Sequence, residues 1–135
     1  WLREREIETR QVEPVDLLKA EKLPPYRSTW MKPTGKLPAD ERIHQALLLY
    51  VSDMGLLGAA VNPHEVNFMS KKFQSASLDH VMWFHGKVNF NNWILHHMHS
   101  PISQNARGFS RGSIYTKSGK LIASTAQEGL MRIWD

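Results

Sequence analysis

The clearest periodicity in the chain lies between Ile43 and Val61. Ile43, Leu47, Tyr50, Met54, Leu57 and Val61 recur at intervals of four, three, four, three and four. That spacing predicts a helix with one continuous apolar stripe. Leu48, Leu49, Val51, Leu56, Ala59 and Ala60 widen the stripe almost all the way round, so the predicted helix is enclosed by other structure rather than laid on a surface. Asp40 can cap its first free N–H groups and Glu41 suits the positive end of its dipole. Pro63 in "NPH" cannot continue the ladder and ends it.

Five of the seven prolines fall before residue 39, which breaks the opening into short extended pieces. "EIETRQVEP" (6–14) and "YRSTWMK" (26–32) are the predicted strands there, the first at a sheet edge. After the helix only strand signals remain, near 68–84, 92–99, 106–116 and 120–134. "KSGK" (117–120) predicts a hairpin turn with Gly119 free to take positive φ, and "SPISQN" (100–105) another connection. The stretch "SASLDHVMWFH" (75–85) is odd, because strict alternation leaves apolar bulk on both faces of the strand. Two short strands, one buried helix and a run of antiparallel strands predict an α+β fold. Its sheet curls around one long central helix, the hotdog arrangement.

Length and composition narrow this further. At 135 residues the chain is read as a single domain, 1–135, with 41% hydrophobic and 22% charged residues. No apolar run is long enough to span a bilayer. Cysteine is absent, which excludes disulfides, thiolate catalysis and cysteine metal sites and fits an intracellular protein. The first 42 residues hold nine Lys/Arg against eight Asp/Glu, and the rest eight against five with all seven His. So mild a surplus, with no basic stripe, predicts no nucleic-acid partner. The first residue is Trp1 rather than Met, so the chain is expected to come from a longer one.

Several polar residues fall where apolar ones are expected. On a helical wheel Asp53 has Leu49, Leu56, Leu57 and Ala60 as near neighbours. A carboxylate amid leucines is costly to ionise unless donors hold it, and that suits a general base; the alternative is a carboxylate near the helix end that reaches solvent or a lysine. Gln127 in "STAQEG" shares strand parity with Leu121, Ala123, Thr125 and Met131, the inward set, and must find partners there, catalytic or structural. Ser77 lies in no nucleophile elbow, so its hydroxyl is read as orienting a water.

"HHMH" puts His97 and His99 on one face and His96 on the other. That is too little for zinc, and these are read as core or interface histidines; no metal or cofactor is expected. In "ARGFSRG", Arg107, Phe109 and Arg111 share one face, opposite Gly108 and Gly112. They either hold a phosphate-bearing ligand or face solvent.

"HQALLLYVSDMGLL", "SLDHVMWFH", "NNWILHHMHSPISQNARGFSRGSIYTKSGKLIAS" and "TAQEGLMR" resemble, in order, the second half of type II acyl-CoA thioesterases. "IETRQVEP" is similar to the segment that opens that half. The family carries two hotdog domains in one chain. The resemblance thus implies that residues 1–135 are the C-terminal domain of a tandem hotdog protein, with the N-terminal hotdog domain absent here. It implies hydrolysis of fatty acyl-CoA to free acid and CoA. Its catalytic Asp, Ser or Thr, and Gln fall on Asp53, Ser77 and Gln127.

The implied mechanism has Asp53 take a proton from a water held by Gln127 and Ser77, with no covalent intermediate. A rival reading is a non-catalytic hotdog assembly or dimerisation unit that needs its missing domain. Either way a homo-oligomer through hotdog pairing is expected. One face of the 75–85 strand would pack on the helix and the other be covered by a second hotdog unit or an acyl chain, with Trp83 and Phe84 as packing and Asp79 and His80 structural. The family's eukaryotic members are often peroxisomal and its bacterial ones cytoplasmic. The ending "RIWD" carries no Ser-Lys-Leu address.

Overall fold

The computed structural model describes residues 6–134. Strands β1 (Ile7–Gln11) and β2 (Tyr26–Pro33) come first, followed by helices α1 (Glu41–Ser52) and α2 (Gly58–Val61). Five strands follow: β3 (Phe73–Ser77), β4 (Val81–Phe84), β5 (Ile94–Gln104), β6 (Arg107–Thr116) and β7 (Leu121–Ile133). All seven join one antiparallel sheet in the order β1-β2-β5-β6-β7-β3, with β4 also on β7. β1 stands at one edge, as its sequence predicts, and β3 and β4 share the other.

The helix departs from the expected single rod. Asp40 caps α1 by accepting from the Arg42 N–H at 3.0 Å, but α1 stops at Ser52. Gly55 takes φ +84, a left-handed conformation that an interior helical residue does not adopt. The chain steps down there and restarts as α2 against the sheet. The apolar stripe is therefore buried only beyond the break, at Leu57 and Val61: on the first helix Ile43 and Tyr50, and at its end Met54, are exposed, whereas Leu48 and Val51 are fully buried and His44 nearly so. Leu48 and Val51 pack on Ile94, Ile114 and Ile122 of the sheet. Leu56 and Ala59 pack on Met98, and Leu57, Ala60 and Val61 on Phe73 and Met131.

Glycines on the inner face of the sheet make this approach close. A Cβ at Gly108 would stand 2.5 Å from the Ala60 Cβ, and one at Gly129 would stand 2.5 Å from Leu57 Cδ1. Neither separation is tolerable between carbon atoms. Gly108 of β6 and Gly129 of β7 seat α2 and the turn before it.

Two strand boundaries also differ from expectation. β5 runs on through "SPISQ" with a register shift between His99 and Ile102. The reversal comes at Asn105 and Ala106, both at positive φ (53° and 58°), as a two-residue hairpin loop requires. The predicted 68–84 strand is two strands. Ser77 pairs with Gly129 and Val81 with Ala126, so residues 78–80 stand opposite only 127 and 128. The extra residue flips the side-chain phase, as a bulge does.

That flip accounts for the apparent two-faced apolarity of 75–85. Ser77 and Met82 both share the inner face with Gly129 and Thr125, while Val81 and Trp83 point outward. Val81, Trp83 and Phe84 all remain exposed on this sheet edge.

Candidate functional site

The break between β3 and β4 is held by a side chain. Leu78 N–H donates to the Glu128 carbonyl at 2.9 Å, and the Asp79 carboxylate accepts from the Glu128 N–H at 2.7 Å. Asp79 thus supplies the acceptor that a continuous strand would have given from its backbone. His80 is anchored next to it, 2.8 Å from Ser52 Oγ, whose hydroxyl donates to the Leu49 carbonyl. Ser77 is fixed at the lip of this break, on the inner face. Gln127 lies beside it on β7, on the same face and buried.

Asp53 comes from a different direction. It is the C-cap of α1, at the corner where the chain turns toward Gly55. There its Oδ1 accepts from Ser77 Oγ at 3.0 Å and from Gln127 Nε2 at 2.6 Å. Ser77 and Gln127, singled out with Asp53 in the sequence, are thus both within direct hydrogen-bond distance of it, although they lie 24 and 74 positions away. Of the two sequence readings of Asp53, the structure matches the carboxylate at the helix end that reaches solvent, not one buried among leucines. The break at Gly55 ends the helix before that face closes, and Asp53 is exposed. Its Oδ2 accepts no hydrogen bond among the described residues.

Asp53, Ser77 and Asp79 line an open groove of about 440 Å³ together with Leu49, Tyr50, Met54 and Leu78. Apolar side chains thus stand beside two carboxylates. That arrangement suits an elongated apolar ligand with a reactive polar end.

Arg107, Phe109 and Arg111 lie on the outer face of β6, with Gly108 and Gly112 buried on the inner one, as their parity predicts. Arg107 Nε is 3.3 Å from Glu128 Oε1, and the Arg111 guanidinium sits 5.4 Å from the Phe109 ring centroid. They do not join the Asp53 cluster, which is on the opposite face of the sheet. Arg111 and Phe109 instead wall a separate outer groove together with Trp83, Ser113 and Ser124.

The histidines divide as follows. His97 Nδ1 is 3.0 Å from Ser28 Oγ, His99 is exposed, and His96 is fully buried on the inner face. Burial pulls the His96 pKa down to about 3, and the neighbouring His80 and His97 push the same way. Sequence reasoning did not single out Ser52, Ser110 or Thr125. The available signal was parity, since Ser110 alternates with the glycines of β6 and Thr125 with Gln127.

The family model described as acyl-CoA thioesterase matches residues 2–130. Acyl-CoA thioesterase 2 of Haemophilus influenzae is 41% identical over 111 residues, covering 82% of this chain and 39% of that protein. The crystal structure of an acyl-CoA thioesterase II, TesB2, from Mycobacterium marinum superposes with a TM-score of 0.79 at 32% identity, covering 95% of this chain and 49% of that one. A hot dog fold protein from Alicyclobacillus acidocaldarius superposes with a TM-score of 0.61 at 14% identity, covering 94% of this chain and 46% of that one. The chain therefore spans about two-fifths of the curated relative it matches and about half of each solved one.

Proposed function

Because the chain belongs to the acyl-CoA thioesterase family and has its hotdog fold, we propose that it is the C-terminal hotdog domain of a tandem enzyme that hydrolyses fatty acyl-CoA. The observation that carries the reading is the double hydrogen bond to one oxygen of an exposed carboxylate, Ser77 and Gln127 on Asp53 Oδ1. With Oδ1 engaged, Oδ2 is the oxygen that takes a proton. Asp53 acts as general base: a water gives a proton to Oδ2 as its oxygen attacks the thioester carbonyl carbon. The tetrahedral intermediate collapses with cleavage of the C–S bond. CoA leaves as the thiolate, and Asp53 returns the proton to it or to solvent.

Gln127 and Ser77 keep roles beyond holding Asp53. The Gln127 Nε2 has a second N–H, which can hold the attacking water or the developing oxyanion. The Ser77 oxygen retains its acceptor capacity toward that water. Leu49, Tyr50, Met54 and Leu78 take the first part of the acyl chain. Arg107, Phe109 and Arg111 contact the phosphate-bearing part of CoA, Arg111 from the outer groove and Arg107 as an exchange from Glu128.

The exposed residues Leu78, Val81, Trp83 and Phe84 lie along an unpaired strand edge. Such an edge invites pairing with another sheet. A second hotdog unit covers it and closes the groove, in the tandem chain or in a homo-oligomer of this one. The same observation favours the second reading, a domain that assembles but does not turn over alone. No nucleic-acid partner is proposed. No helix among the described residues is long and apolar enough to cross a membrane, and the compartment is proposed to be peroxisomal in a eukaryote and cytoplasmic in a bacterium.

Thiol release from a long-chain acyl-CoA tests the reading on this chain and on the longer one. Turnover by the longer chain is expected, with little or none by residues 1–135 alone. Absence of release by both, across chain lengths, would overturn it.

A further inference from the structure

Behind Gln127 the apolar core is interrupted. Gln127 commits Nε2 to Asp53, and its Oε1 is buried with no partner among the described residues. Ser110 stands opposite Gln127 across the β6–β7 ladder, and Gly112 stands opposite Thr125. The Ser110 and Thr125 hydroxyls are likewise buried and unpartnered among the described residues. From β5, His96 reaches the same spot, because a Cβ placed on Gly112 would collide with both His96 Nε2 and Thr125 Oγ1. Both ring nitrogens of His96 are also without a partner among the described residues. His96 and Thr125 thus meet over Gly112, and Ser110 and Gln127 form the next inward-facing pair along the same ladder.

A buried donor or acceptor left without a partner is costly, so a fold that packs this tightly elsewhere must satisfy them. The chemistry of the set is balanced for water. Gln127 Oε1 only accepts; each hydroxyl donates once and accepts; a neutral imidazole offers one N–H and one lone pair. Burial holds His96 neutral at any working pH, since its pKa is about 3. A water that accepts from Thr125 or His96 and donates to Gln127 Oε1 closes the network, with the partners an internal water requires.

We propose that His96, Ser110, Thr125 and Gln127 enclose an internal water site above Gly112, through which Thr125 and His96 act as positioning residues for the Gln127 amide. The water gives Oε1 a donor on the buried side, so Nε2 must face Asp53. A flipped amide would turn Oε1 onto the carboxylate and lose both contacts. The buried cluster thereby fixes which end of Gln127 meets the base. This rests on the general-base reading of Asp53, through which Gln127 acts.

Two measurements on the full-length enzyme test it. A high-resolution crystal structure is expected to show one or more ordered waters within hydrogen-bond distance of Thr125 Oγ1, His96 and Gln127 Oε1; a compartment free of density would overturn the proposal whatever the kinetics. Thr125→Val keeps the shape and removes the hydroxyl. It is expected to lower kcat about tenfold with KM within about twofold, and Thr125→Ser to restore most of the loss. If Thr125→Val fails to fold, Ser110→Ala carries the same kcat-against-KM comparison. Unchanged kcat in these variants, alongside an inactive Asp53→Asn, would sink the positioning role and leave the base intact. An active Asp53→Asn would instead remove the reading on which it rests.

Discussion

His96 makes acid stability of this domain a sharp test of its core. The ring is fully buried and its pKa is drawn from 6.5 to about 3 by burial first, then by the charges of His80 and His97. In the unfolded chain the same imidazole titrates at its ordinary value. Below pH 6.5 the unfolded state therefore binds a proton that the folded state refuses, and stability falls with pH until the folded pKa is reached. The contribution is complete above the unfolded pKa and is lost on going down through the window from about 6.5 to about 3. Each pH unit within it costs about 1.4 kcal/mol, so lowering the pH from 7 to 5 removes roughly 2 kcal/mol through this one residue.

Urea unfolding of the parent and of His96→Gln at both pH values isolates the effect, because other titrating groups are common to the two proteins. The difference between pH 7 and pH 5 is expected to be smaller by roughly 2 kcal/mol in the variant. Equal pH dependence in the two would mean that His96 is protonated in the native state, and the neutral buried cluster would be wrong.

Gly108→Ala puts a methyl 2.5 Å from the Ala60 Cβ, a backbone-fixed atom that cannot swing away. The variant is expected to lose about 1–3 kcal/mol in thermal or denaturant unfolding; an unchanged midpoint would show that α2 does not sit on β6. Asp79→Ala removes the acceptor of the Glu128 N–H at the strand break. We expect a loss of about 1–3 kcal/mol and a lower kcat in the proposed longer enzyme, because Ser77 loses its fixed place; a fully stable and active variant would contradict that role for Asp79.

Much of this was legible in the residues. Asp40 as a cap, Gly119 as the hairpin glycine and the inward parity of Gln127 follow from local rules that tertiary packing did not override. The phase of 75–85 was not legible, because a three-against-two bulge depends on Asp79 finding the Glu128 N–H 49 positions away. The helix stripe misled for a related reason. Gly55 can continue a helix or break it, and the choice was made by the glycine seat on β6 and β7, which no window over residues 41–61 contains. Of the exposed part of the stripe, Tyr50 and Met54 border the groove rather than the core. The buried polar patch was hidden because Ser110 and Thr125 are ordinary strand residues until three strands, β5, β6 and β7, bring them beside His96 and Gln127.

Asp53 is the proposed proton acceptor, and one substitution probes that role. Asp53→Asn preserves the shape of the side chain and removes its basicity. In the full-length enzyme, folded as judged by its circular dichroism and melting temperature, thiol release from a long-chain acyl-CoA at saturating substrate is expected to fall by about 10²–10⁴. Release within a few-fold of the parent rate would mean that the carboxylate held by Ser77 and Gln127 is not the base.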